Sequence, residues 1–181
     1  MSSETYHCWY PVQIRFRDLD PLAHVNNTVY FVYLEEARSF YFDQLRPWRH
    51  ADETPAQADK EDDAAEGGEG EHNPRIKTGP RGYHYGMLVK ENTCTYLLPL
   101  VRSDRAEVGV KVVKIGRTSF VMEHEIRDST DHSRVFATGR SVLVWCNYHT
   151  GRPHPLPDSL RAAFEQFEGL SSAATTGGEQ A

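Results

Sequence analysis

Apolar and polar residues alternate near the start of this chain and then give way to a helical period. The apolar side chains Val12, Ile14 and Phe16 alternate with polar ones over residues 12–17, which predicts a half-buried strand. From about residue 27 to 45, apolar residues recur three and four positions apart and leave only a narrow polar face. This spacing predicts a long helix that is wrapped by other elements rather than laid on a surface.

The second half of the chain predicts four strands and a short helix. The strands are predicted over residues 87–97, 106–115, 119–127 and 134–148. The connections IGRTS and RDSTDHS have the length of hairpins, so we expect these strands to form an antiparallel meander. A last helix is expected after Pro157. One long helix against such a sheet is an α+β arrangement.

Composition separates a globular body from two segments that are unsuited to a core. The 181 residues are 39% hydrophobic, which is enough for one domain. Residues 51–73 hold nine acidic residues, one Lys and no aromatic residue, so they cannot bury enough surface to fold. We therefore predict one domain over residues 1–170, with a disordered acidic insertion at about 51–73 and a disordered tail over 171–181.

Charge and cysteine content exclude several classes of protein. The net charge of −6 becomes +2 without the acidic insertion, which gives no reason to expect a nucleic-acid partner. Cys8, Cys94 and Cys146 form neither a disulfide framework nor a zinc motif, and they fit a reducing compartment. We recognise no signal peptide and no apolar run of membrane length. We expect a cytoplasmic protein with no membrane partner, no metal and no cofactor.

The turn between the first predicted strand and the long helix carries more polar groups than a turn needs. Within ten positions lie Asp18, Asp20, His24, Asn26 and Asn27. Asp20 suits a turn or a helix cap and equally a catalytic role, whereas Asp18 is expected to be structural. We expect the ring of His24 to fix the loop through hydrogen bonds rather than to act as a base. Asn26 and Asn27 are expected to cap the helix.

The segment RFRDLDPLAHVNNTVYFVYLEEAR strongly resembles the first strand and helix of acyl-CoA thioesterases of the 4-hydroxybenzoyl-CoA thioesterase type. The similarity continues in YLLPLVRSD, VVKIGRTSFVMEHEI and FATGRSVLVWCN, and it spans roughly residues 10–165 apart from the acidic insertion. The resemblance implies a hotdog fold, in which an antiparallel sheet of about five strands wraps one long helix. It also implies hydrolysis of an acyl-CoA thioester to a carboxylic acid and CoA.

The resemblance assigns the catalytic carboxylate to the second Asp of the turn, which here is Asp20. It implies that the thioester carbonyl is held by the backbone N–H groups of Asn27 and Thr28, with His24 in support. Helix N-terminal N–H groups have no partners within the helix, and they can stabilise an oxyanion. The carboxylate could activate water or attack the carbonyl directly, and the sequence does not separate these routes.

The resemblance also implies a CoA site and an assembly. It assigns phosphate contacts to Lys114 and Arg117, with Thr118 and Ser119 beside them, although solvated turn charges are an equal alternative for the two basic residues. Tyr30 is expected to line the acyl pocket. Related thioesterases assemble as dimers or tetramers with sites at the dimer interface, so we expect a homodimer or homotetramer.

Other functions and roles stay open at this point. An enoyl-thioester hydratase or dehydratase of the same fold would also use an acid and a His, as in Asp20 with His24, and a non-catalytic acyl-CoA-binding module is a third alternative. An acyl-carrier protein could replace CoA, and the acyl group itself is not specified. We expect Glu35 and Arg38 to form a surface pair along the helix, and Cys94 to fill space in a strand.

Overall fold

The described residues form an antiparallel sheet with two helices. In the computed structural model they are residues 6–45, 85–148 and 150–170. The elements in chain order are β1 (Cys8–Pro11), a 3₁₀ turn (Phe16–Asp18), α1 (Val29–Gln44), β2 (Tyr85–Tyr96), β3 (Ala106–Ile115), β4 (Ser119–Asp128), β5 (Val135–Asn147) and α2 (Asp158–Glu168). The predicted acidic insertion and tail lie outside the described residues, so the domain boundaries stay predictions.

The five strands lie side by side in the order β1-β3-β4-β5-β2, and every neighbouring pair is antiparallel. Hairpins join β3 to β4 and β4 to β5, as the short connections predicted. The prediction that β2 continues the meander was wrong, because β2 pairs with β5 at the far edge. The connection from β2 to β3 therefore crosses the sheet. With α1 against this sheet, the α+β hotdog prediction is confirmed.

The strand predicted over residues 12–17 was wrong in its position. The strand that forms is β1, which pairs with β3 from Cys8 to Pro11. Val12 N–H still donates to Ala106 O at 2.9 Å, but β3 begins at Ala106. Beyond Ala106, β3 offers no residue for the segment after Val12 to pair with. That segment therefore forms no strand hydrogen bonds, and Phe16 is 76% exposed.

The helix α1 is buried along one broad face, but Val32 on its outer face is 48% exposed, so the described residues cover the helix less completely than its apolar composition predicted. The buried residues lie at helical spacing and are Tyr30, Tyr33, Leu34, Ala37, Arg38 and Tyr41. At the end of α2, the carboxylate of Glu168 accepts hydrogen bonds from Tyr41 Oη at 2.5 Å and from Val112 N–H at 2.9 Å. Val112 lies beside the register shift in β3, so Glu168 fastens α2 to both the helix and the sheet. In the part of the chain described here, no helix is long and apolar enough to cross a membrane.

Candidate active site

The polar turn, residues 18–28, is anchored to the core by Asp18. This side chain is 8% exposed, and its Oδ2 accepts hydrogen bonds from Arg15 N–H at 2.7 Å and from Tyr33 Oη at 2.9 Å. Asn26 N–H donates to Asp18 O at 2.8 Å. Burial and the bond to Asp18 raise the pKa of Tyr33, so its hydroxyl stays a donor. Asp18 is thus used in holding the turn against α1, which is the structural role expected for it.

Asp20 is held by one carboxylate oxygen and leaves the other available. Its Oδ1 accepts hydrogen bonds from Leu22 N–H at 2.9 Å and from His24 N–H at 3.1 Å. Its Oδ2 has no hydrogen-bond partner in the described part of the chain. The side chain is half-buried. The turn-forming role of Asp20 is therefore present, and it leaves an oriented oxygen that can meet a ligand.

His24 is fixed by its backbone and not by its ring. Its carbonyl accepts a hydrogen bond from Asp20 N–H at 2.7 Å, and it bridges to Val101 of the β2–β3 connection. The expected ring hydrogen bonds are not formed with any residue that the structure describes, so that part of the prediction was wrong. Ala23 has a φ of 60° in this tight loop, a conformation that costs energy for a residue with a Cβ. His24 is half-buried, and it follows Asp20 by four residues in the chain.

The start of α1 presents one free backbone donor of the two that were expected. Asn26 Oδ1 accepts hydrogen bonds from Thr28 N–H at 2.9 Å and from Thr28 Oγ1 at 2.8 Å. Thr28 N–H is therefore occupied. The N-cap residue of α1 is Thr28, so the prediction that Asn26 and Asn27 cap the helix was wrong. Within the described residues Asn27 N–H has no acceptor, while Asn27 O accepts a hydrogen bond from Tyr96 Oη at 2.8 Å. Tyr96 thus fixes the peptide group on one side of Asn27.

Aromatic side chains surround this helix start. The ring of Tyr30 is buried and meets the ring of Tyr96 edge-on, with 4.9 Å between centroids. Burial raises the pKa of Tyr30 to about 12 and also raises the pKa of Cys94, so both groups are neutral near pH 7. Cys94 is half-buried in β2, in keeping with its predicted role as a strand-filling residue.

The basic residues expected to bind CoA lie at the other end of the subunit. Arg117 belongs to the β3–β4 hairpin turn, whereas Val25 of the polar turn bonds to Leu100, just before β3 starts. The ten residues of β3 separate the two ends, a distance of about 30 Å at the usual rise of a strand. Lys114 and Arg117 are exposed, and Thr118 and Ser119 are half-buried. One subunit therefore does not bring these residues to Asp20.

The sheet edge formed by β2 is long, and it exposes apolar side chains at both of its ends. No described strand pairs with the outer edge of β2, which runs for 12 residues. Its exposed apolar side chains continue into the connection that follows and are Leu88, Val89, Tyr96, Leu97 and Leu98. Isolated proteins avoid such edges because they pair with other strands, so this edge is suited to a second copy of the chain.

Three buried polar side chains and one half-buried side chain form a group between α1 and the sheet. This group, the Arg38 cluster, consists of Arg38, Asn92, His124 and Ser141. Ser141 Oγ lies 3.3 Å from Arg38 Nη1, 2.7 Å from Asn92 Oδ1 and 2.9 Å from His124 Nε2. The predicted surface pair of Glu35 and Arg38 was wrong, because Arg38 is only 7% exposed and turns into the sheet. Its place four residues after Leu34 on the buried face was the signal in the sequence.

Metal ligands are not grouped in the described residues, where no three His, Cys, Asp or Glu side chains are placed to hold an ion. An open groove along the outer face of α1 is lined by Tyr10, Val32, Glu35, Glu36, Ser39, Phe40 and Asp43. The groove does not include Asp20. Its acidic side chains are unsuited to the phosphates of CoA, so it is not the site implied by the turn.

Comparison with known proteins decides the family. The family model of the thioesterase-like superfamily matches residues 14–164. The chain belongs to this superfamily. A thioesterase from Thermus thermophilus, solved with coenzyme A and zinc, is 32% identical over 91% of this chain and 96% of its own, with a TM-score of 0.63. None of the curated proteins matches the sequence significantly.

Two further solved structures are similar to this chain. A candidate thioesterase from Pseudomonas aeruginosa is 30% identical over 87% of this chain and 96% of its own, with a TM-score of 0.61. A gentisyl-coenzyme A thioesterase is 22% identical over 86% of this chain and 98% of its own, with a TM-score of 0.57; at that identity it shows the fold alone. The protein is a thioesterase, as the motifs of the polar turn predicted.

Proposed function

We propose that this thioesterase hydrolyses acyl-CoA with Asp20 as its catalytic carboxylate and the start of α1 as its carbonyl-binding site. The observation that carries the proposal is the asymmetry of Asp20: Oδ1 is held by two backbone N–H groups, and Oδ2 has no partner among the described residues. A carboxylate that only formed the turn would need one oxygen. The second oxygen is oriented without being used, as a general base or nucleophile requires.

The carbonyl of the thioester is polarised by Asn27 N–H in this mechanism. The first N–H groups of a helix lack internal partners and lie at the positive end of its dipole. Thr28 N–H is taken by the side chain of Asn26, which leaves the N–H of Asn27, two residues before α1 begins, as the donor at this end of the helix. As charge develops on the carbonyl oxygen, this N–H stabilises it. Tyr96 bonds to Asn27 O and so holds the next peptide group, on the C-terminal side of the donor.

A second copy of the chain completes the site in our proposal. Antiparallel pairing of two β2 edges would set the Tyr96 end of one strand beside the Tyr85 end of the other. The Tyr85 end is also the end of the β3–β4 hairpin, since Trp145 N–H bonds to Thr118 O and Tyr85 pairs with Asn147. Arg117 of the partner subunit would then lie at the same end as Asp20. Three strand spacings, about 14 Å in all, separate the two β2 edges from that hairpin, a span that an extended CoA can bridge.

The hydratase alternative loses support from the loop geometry. It needs an imidazole placed to work with the acid, and the His24 ring has no hydrogen bond to Asp20; only the backbone of His24 contacts that side chain. A binding module without catalysis would not require an unpartnered carboxylate oxygen on Asp20 and a free N–H on Asn27 in the same turn. The cytoplasmic location, the oligomeric state and the use of an acyl-carrier protein stay predictions.

The test compares two aspartates of the same turn. Thiol release from a panel of acyl-CoAs is measured for the wild type, for Asp20→Asn and for Asp18→Asn. We expect Asp20→Asn to fold with an unchanged Tm and to lose roughly 10²–10⁴ in kcat. Asp18→Asn should instead lower the Tm, because it weakens the bonds from Arg15 and Tyr33.

Three outcomes contradict the proposal in different ways. No thiol release by the wild type from any acyl-CoA or acyl-carrier substrate rejects hydrolysis. Thiol release with Asp20→Asn near normal kcat rejects the role of Asp20 alone. Water addition to an enoyl-CoA without thiol release supports the hydratase instead.

A further inference from the structure

The Arg38 cluster holds a positive charge that the described residues do not neutralise. Arg38 is 7% exposed, and no carboxylate of the described chain lies within ion-pair distance of it. Burial lowers the pKa of Arg38, and Glu35 nearby opposes this effect without touching it. A buried charge is costly unless it is paired. Ser141, a neutral hydroxyl, is the one contact of the guanidinium group that the structure shows.

The hydrogens around Ser141 can be assigned from its three contacts. A hydroxyl has one hydrogen and two lone pairs. Arg38 occupies one lone pair, and the hydrogen goes to Asn92 Oδ1 at 2.7 Å. His124 Nε2 must then donate to the remaining lone pair and carries a hydrogen, and the ring is neutral because burial lowers the pKa of His124. Ser141 is saturated, and the cluster retains the single positive charge of Arg38.

The remaining donors of Arg38 open toward solvent. The fully enclosed polar atoms without a partner in the described residues are His124 Nδ1 and Arg161 Nη1. The Nε and Nη2 atoms of Arg38 make no hydrogen bond there either, and they are not among the enclosed atoms. They therefore keep some contact with solvent. Two adjacent N–H groups of a guanidinium match the two oxygens of a carboxylate.

Arg38 lies along the helix from the proposed carbonyl-binding site. Arg38 lies nine residues after Val29, the first residue of α1, and it shares one flank of the helix with Phe31. The axial separation of Val29 and Arg38 is about 14 Å between Cα positions, and it shortens because side chains lean toward the helix N-terminus. An acyl group of medium length that extends from Asn27 past the apolar side chain of Phe31 would end near Arg38.

We propose that Arg38 is a specificity-determining residue that binds a carboxylate at the far end of the acyl group, so that the enzyme prefers the CoA thioesters of dicarboxylic acids. This inference rests on the proposed function. The substrate carboxylate supplies the missing counter-charge, and Asn92, His124 and Ser141 hold the guanidinium group in place. Apolar acyl groups of equal length would leave the charge unpaired.

The test uses pairs of substrates that differ only at the far end. Thiol release is compared for suberoyl-CoA against octanoyl-CoA and for sebacoyl-CoA against decanoyl-CoA. We expect the wild type to favour one dicarboxylic member by at least about tenfold in kcat/KM, since a buried donor left unpaired penalises the wrong substrate. Arg38→Met should remove or reverse this preference, and Arg38→Lys should restore part of it.

A matched control and a second readout separate the possible failures. Arg140→Met removes an exposed Arg that neighbours Ser141 and pairs with Glu91, and it should leave the preference unchanged. Calorimetric binding of suberoyl-CoA and octanoyl-CoA to the Asp20→Asn protein measures the preference without hydrolysis. Tighter binding of suberoyl-CoA that is lost when Arg38→Met is added supports the inference even if the proposed role of Asp20 fails.

Two results overturn the inference. The first is an equal rate and equal affinity for both members of each pair, or a preference that survives in Arg38→Met. The second is dissociation of the oligomer by Arg38→Met in analytical ultracentrifugation, because it would show that a carboxylate of a second copy neutralises the charge.

Discussion

His124 makes this protein acid-sensitive in a way that can be worked out from its surroundings. The ring is 1% exposed, and burial together with the nearby charge of Arg38 lowers its pKa from 6.5 to about 3. The folded state keeps His124 neutral, whereas the unfolded chain protonates it below its ordinary pKa. The stability that this difference provides is present above pH 6.5 and is lost as the pH falls toward 3. One proton gives about 1.4 kcal/mol per pH unit, so about 3 kcal/mol is lost between pH 6.5 and 4.

The matching variant is His124→Gln, which keeps a donor for Ser141 and removes the titrating group. We expect the free energy of unfolding, measured with urea at several pH values, to fall less steeply with acid in this variant. His132→Gln is the control, because the side chain of His132 is 60% exposed and should leave the pH slope unchanged. Equal slopes for the wild type and His124→Gln would show that His124 is not held neutral and would refute the reasoning.

Three further changes test other parts of the molecule. Burial raises the pKa of Glu168, so the stability that protonated Glu168 provides is complete below its ordinary pKa and is lost as the pH rises through the raised value. In urea unfolding, Glu168→Gln should therefore gain stability relative to the wild type between pH 4 and 7. No gain would contradict this. Tyr33→Phe removes the 2.9 Å bond to Asp18 and should cost about 1–2 kcal/mol, whereas an unchanged free energy of unfolding would show that the bond does not anchor the turn. The double variant Lys114→Ala, Arg117→Ala should raise KM for acyl-CoA at least about tenfold and weaken the salt dependence of this KM. Its KM for a short thioester without the nucleotide should not change. Equal effects on both substrates would show that the two residues are solvated turn charges that do not bind CoA.

Local patterns in the sequence predicted the elements well where short-range forces form them. The alternation of β3 and its hairpin to β4 appear where they were expected, because a strand with a short connection has one nearby partner. The pairing of β2 with β5 depends on a crossover that no local pattern encodes. The same applies to β1. Its four residues Cys8–Pro11 form a strand because they are the ones that lie opposite β3. The extended residues that follow alternate equally well but have no strand to meet.

The candidate site divides in a similar way. The polar turn was recognisable because its polar residues exceed what a turn requires, but the N-cap of α1 is Thr28 and not Asn26 or Asn27. The occupation of Thr28 N–H depends on the rotamer of Asn26, which the sequence does not contain. Arg38 was expected to lie on the surface, and no pattern in the sequence marked His124 as its buried neighbour. Their burial follows from the depth at which α1 sits against β4 and β5, and this depth is a property of the packed molecule.

The central claim is that Asp20 of one subunit and the basic hairpin of another form one active site. Subunit mixing tests it directly: Asp20→Asn protein is mixed with the Lys114→Ala, Arg117→Ala protein, and thiol release is measured at low acyl-CoA concentration. Random exchange gives heterodimers in which one of the two sites is intact, so about a quarter of the wild-type activity should return. Mixtures that exchange subunits and remain as inactive as their parents would contradict the shared site.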